Sequence, residues 1–96
     1  MNEEEIKKLE IKLSEIIIEK NNFNRSKLKK GKDKIKKNDL ERMKDSINFS
    51  SMKLIENFKL MNFDLHIKDQ YYDVEFFIFN VENIIRKERQ KLNEKK

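Results

Sequence analysis

The chain is 96 residues long, enough for one small domain with a modest core and too short for a second. It contains no cysteine, which excludes disulfides and thiolate metal centres and fits a reducing, cytoplasmic setting. Its formal net charge of +5 comes from 23 basic and 18 acidic residues; this invites polyanionic partners, although abundant Lys, Asn and Ile without Ala, Thr or Pro is also the mark of an AT-rich genome.

The N-terminus, MNEEEIKKLE, is acidic where a signal peptide would be basic, and no apolar run approaches the about 20 residues that span a bilayer. Asn2 and Glu5 have the spacing of a capping box, and Glu3 and Glu4 add acids at the positive end of a helix dipole. Ile6, Leu9, Leu13, Ile16 and Phe23 follow at helical spacing, and Ile11, Ile17 and Ile18 widen that seam, predicting a helix over 3–23. Asn21, Asn22 and Asn24 suit its exit, because asparagine tolerates the left-handed conformation that ends helices.

Residues 25–37 hold the single glycine, Gly31, and few apolar residues besides Leu28 and Ile35, so they read as a basic connector. Asn38 and Glu41 repeat the capping-box spacing. Leu40, Met43, Ile47, Leu54, Phe58, Met61 and Leu65 then align on one face, predicting a second helix over 39–62. Phe49, Met52 and Phe63 fall on its other side.

The third segment contains YYDVEFFIFNV, from Tyr71 to Val81, and has two readings. As a helix over 70–92 capped by Asp69, it aligns Tyr71, Val74, Ile78, Val81, Ile85 and Leu92. As a hairpin over 63–79, Phe63, Leu65 and Ile67 alternate with polar residues, as do Tyr72, Val74, Phe76 and Ile78. The helix has the longer register, and the hairpin's turn lacks the glycine that short loops need. The expected fold is therefore all-α: an antiparallel three-helix bundle or a helical hairpin with long helices, with dimerisation as a way of completing it. An α+β fold containing the hairpin is the alternative.

Short connectors predict an up-down-up course for the three helices. Residues 25–45, with ten basic against four acidic residues, and 86–96, with six against two, would then meet at one basic pole. That expected patch comprises Lys27, Lys29, Lys30, Lys32, Lys34, Lys36, Lys37, Arg86, Lys87 and Arg89. Phe23 is the only aromatic near either segment, so phosphates rather than stacked bases would be its target.

His66 is the only histidine and, beside Asp64, Asp69 and Asp73, the natural candidate for a general base or a metal-holding face. Its commoner explanation is a solvated junction next to a helix cap. Ser14, Ser26, Ser46, Ser50 and Ser51 occur in no nucleophile signature, and one glycine cannot build a phosphate-cradling loop. The chain is accordingly expected to be no enzyme, with no cofactor, metal, membrane or small-molecule ligand. What remains is an apolar surplus: one small core does not need Phe49, Met52, Phe63, Tyr72, Phe76 and Phe79 as well as the seams. The expected function is a small protein-protein interaction protein, an adaptor, regulator or inhibitor that binds a larger protein or itself as a homodimer. A basic nucleic-acid-binding accessory protein is the alternative.

Overall fold

A computed structural model of the chain describes residues 1–60 and 73–94. Over these the fold is all-α: α1 (Glu3–Lys27), a single 3-10 turn (Gly31–Asp33), α2 (Lys37–Phe58) and α3 (Asp73–Glu94). No described residue is in a strand, and Val74, Phe76 and Ile78 lie in α3, so the hairpin alternative fails over 73–79. The remainder of that alternative, 63–72, and the expected cap at Asp69 lie outside the described residues.

The capping box opens α1 as its spacing predicts. Glu5 N donates to Asn2 Oδ1 at 2.8 Å and Asn2 N to Glu5 Oε1 at 3.5 Å, so two amide donors that the first turn leaves open are satisfied reciprocally. Glu3–Lys7 and Glu4–Lys8 pairs at 3.8 and 3.5 Å support the same turn. The far end departs from expectation, since α1 runs through the asparagine cluster to Lys27. Packing explains it: Phe23 and Ser26 are both buried, so a further helical turn gains burial, and Arg25 donates to Asn22 Oδ1 at 2.6 Å instead of leaving asparagine free to end the helix.

The start of α2 also differs. Its N-cap is Lys36, with no side-chain cap bond, and Asn38 and Glu41 lie inside the helix rather than forming a capping box. The Lys36 carbonyl already accepts from Asp39 N at 3.0 Å and Leu40 N at 3.1 Å, so the helical conformation sets in before Asn38 could cap it. The helix ends at Phe58, short of the expected residue 62, because Lys59 turns left-handed at φ 52° and ψ 44°. Lys59 N then donates to Glu56 O and Leu60 N to Ile55 O, the paired bonds of a Schellman ending, while the Leu60 side chain is buried.

The core is built around α1. Leu9, Leu13, Ile16 and Phe23 meet Ile47, Leu54 and Leu60 from the α2 side and Val74, Phe77, Ile78 and Val81 from α3, with Leu40, Met43, Phe58, Ile84 and Ile85 packed around them, and Ile6 is buried as well. Ser51 is wholly buried, its hydroxyl satisfied by Ile47 O at 2.9 Å.

Polar contacts fix the directions. Glu19 on α1 accepts from Ser46 and Ser50 on α2 at 3.2 and 3.1 Å. Lys20 pairs with Glu75 at 3.3 Å, Glu10 with Arg89, and the Met1 ammonium with Glu88 at 3.0 Å. Residue numbers on α3 rise as those on α1 fall, so α3 is antiparallel to α1 and runs in the same sense as α2. The expected up-down-up course is thereby replaced. Fourteen residues separate Phe58 from Asp73, more than a tight antiparallel turn requires, and in this course the pairings set the acidic start of α3 against Lys20 and its basic half against the acidic start of α1.

Candidate interaction surfaces

Four consecutive apolar residues, 76–79, lie in the first two turns of α3, and at about 100° per residue they cannot share one face. Phe77 and Ile78 turn inward and are 1% and 7% exposed, whereas Phe76 and Phe79 turn outward and are 68% and 57% exposed. The outward pair is three residues apart and so shares the outer side of α3. Two apolar rings this open cost hydration free energy that a buried position would recover, at about 25 cal/mol per Å2.

On α2, Phe49 is 62% exposed, and Met52 is also exposed. Phe49 borders a cleft of about 360 Å3 whose other walls include Lys12, Glu15, Ile16, Lys53 and Leu54. Lys53 Nζ stands 5.6 Å from the Phe49 ring centre, a cation–π contact. Among the described residues that cleft is lined by α1 and α2 alone, so Phe49 and the α3 pair occupy separate surfaces. The charges on its rim are engaged: Lys12 pairs with Glu15 at 3.6 Å, Lys53 with Glu56 at 3.8 Å, and Glu19 accepts the two serine hydroxyls. No unpartnered nucleophile or base stands in the cleft among the described residues, and it offers shape rather than chemistry.

Phe63 and Tyr72, the other two expected binding residues, lie outside the described residues, as do His66, Asp64 and Asp69. Among the described residues no group of three or more His, Asp or Glu side chains is placed to hold a metal ion, and no helix is long and apolar enough to cross a membrane. Ile11 and Ile18 do not widen the core seam as expected. They lie one heptad apart on the outer side of α1, both exposed. Their register carried the signal, since each is about 180–200° around the helix from Leu9.

The expected basic pole is divided. Lys27 to Lys37 occupy the tip where α1 passes into α2, and all seven lysines are exposed. Arg89 instead meets Glu10, which lies 17 residues, or about 25 Å of helix, from Lys27. The α3 group is also partly neutralised from within: Arg89 is engaged by Glu10 and Lys91 by Glu88 at 3.7 Å. Glu88 accepts as well from the Met1 ammonium, whose hydrogen bond is the main cause holding the Glu88 carboxyl below its ordinary value; burial opposes this and Lys91 adds to it. Arg86 and Lys87 remain exposed on α3. Comparison with protein-family models, with curated proteins and with solved structures finds no match for the chain.

Proposed function

We propose that the chain is a non-catalytic binding protein that holds another protein chain, a larger partner or a second copy of itself, against the outer face of α3. One observation supports this reading most: Phe76 and Phe79 are 68% and 57% exposed while the adjacent Phe77 is fully packed, so the core is closed without them. Exposed aromatic residues on a soluble domain are the usual anchors of protein interfaces, because a ring buries a large area while fixing only two side-chain torsions. Phe49 and Met52 on α2 supply a second apolar surface that a larger partner would reach. Binding of this kind acts by occupancy, as an adaptor, regulator or inhibitor does.

Site-specific photocrosslinking tests the reading. A photoreactive phenylalanine analogue at position 76 or 79, in cells producing the protein, should give a discrete covalent adduct with a protein, and Asp at the other position should abolish it. The same analogue at exposed Gln90 is the control. Adducts no stronger from 76 and 79 than from 90 would contradict the assignment.

A further inference from the structure

The ten residues from Leu28 to Lys37 hold six lysines and one acid, Asp33, a formal +5 that equals the net charge of the whole chain, so the rest of the sequence balances to zero. Codon bias would scatter lysine without regard to partners. On the helices Lys7, Lys8, Lys12, Lys20, Lys53, Arg89 and Lys91 each meet a carboxylate, whereas Arg42, Lys44, Arg86 and Lys87 meet none among the described residues but are divided between α2 and α3. Lys29, Lys30, Lys32, Lys34, Lys36 and Lys37 meet none among the described residues, and all six are exposed. They are gathered on a short ordered turn at one end of the bundle, held by Lys29 N to Ser26 O at 3.4 Å and Lys34 N to Gly31 O at 3.1 Å. The positive end of the α2 dipole, which has no side-chain cap, points into the same cluster.

We infer that this tip is a binding surface for the phosphate backbone of nucleic acid, distinct from the aromatic face of α3. Six uncompensated ammonium groups on one short turn match a dense line of phosphates, each contact releasing a condensed counterion. Base recognition is not part of it: Phe23, the nearest aromatic, is buried and its ring is covered by Lys27 at 5.3 Å, so no stacking platform is offered. The surface therefore reads charge and spacing, not sequence. An anionic membrane is the less suited partner. Leu28 is the one strongly exposed apolar side chain at the tip, and stable membrane attachment takes more than lysines and a single short anchor.

The test is a fluorescence-anisotropy titration of the intact protein with a short random-sequence DNA duplex across a salt series. With four to six phosphates engaged, log affinity should fall against log salt with a slope of roughly −3.5 to −5.5, a loss of about 50-fold or more between about 50 and 150 mM salt. Lys29→Gln, Lys30→Gln, Lys34→Gln and Lys36→Gln together should remove most of that slope with unchanged helicity. The milder pair Lys30→Gln/Lys34→Gln should lower it by about two. Arg86→Gln/Lys87→Gln should leave it within error. Absence of duplex binding at low salt, an equal loss from the Arg86/Lys87 variant, or tighter binding to phosphatidylserine vesicles than to the duplex at matched salt would each overturn the inference.

Discussion

Lys59 has the left-handed backbone, φ 52°, that the Schellman ending of α2 demands, in a position that glycine fills at lower cost because it has no Cβ to clash with the carbonyl oxygen. Lys59→Gly should stabilise the protein by about 0.5–1 kcal/mol, read as a rise of about 2–6 °C in thermal midpoint, and an unchanged or lower midpoint would count against the assigned ending. Glu88 makes a second prediction at this scale. Its carboxyl is held below the ordinary value chiefly by the Met1 ammonium. A carboxyl whose folded value lies below its unfolded one adds stability above the unfolded value, and that stability is lost as pH falls through the folded one. Glu88→Gln should therefore lower stability near neutral pH and flatten its decline on acidification, as followed by urea melts at several pH values. A variant with the same acid profile as the parent would show the contact to be energetically silent.

At the level of elements, what could be read in advance was whatever repeats at short range. The capping box at Asn2 and Glu5 and the seams through Leu9, Leu13, Ile16, Ile47, Leu54, Val74 and Val81 are local patterns, and each produced a helix with those residues inside. Helix ends were less legible. Asn22 and Asn24 carry an exit signal, but burial of Phe23 and Ser26 extends α1 past it, a tertiary gain that no local pattern contains. The start of α2 was misplaced for a related reason: Asn38 and Glu41 have capping spacing, yet the turn through Gly31 delivers the chain to helical geometry at Lys37. Ile11 and Ile18 show that isoleucine in an AT-rich sequence is not by itself a core signal; angle around the helix decides. The contrast within α3 is directly measurable. Phe77→Ala should cost about 3–5 kcal/mol, whereas Phe76→Ala should change stability by no more than about 0.5 kcal/mol. Equal costs from chemical denaturation would mean that both rings serve the core.

At the scale of the whole molecule, the direction of α3 was the feature hidden from the sequence. Short connectors favour an up-down-up course, but the Glu75, Glu88 and Arg89 contacts to Lys20, Met1 and Glu10 show α3 antiparallel to α1. Such pairings bring together residues 55 or more positions apart, beyond any local periodicity. Their consequence is that the described parts of the two basic segments lie at opposite ends, and the largest cluster of lysines without a carboxylate partner among the described residues is at the α1–α2 tip. Because the chain has no cysteine, spin labels at Cys residues replacing Lys30 and Gln90 would report the arrangement without background. A separation of about 30 Å is expected, against roughly 15 Å for the up-down-up course. The binding reading rests on α3 closing the core with Phe77 and Ile78 while Phe76 and Phe79 stay outside it. The most direct test is the guanidinium unfolding midpoint of the Phe76→Asp/Phe79→Asp protein, compared with the parent at a concentration where both are monomeric. A stability within about 0.5 kcal/mol of the parent is expected. A loss of several kcal/mol would place both rings in the core and remove the surface on which the proposed function depends.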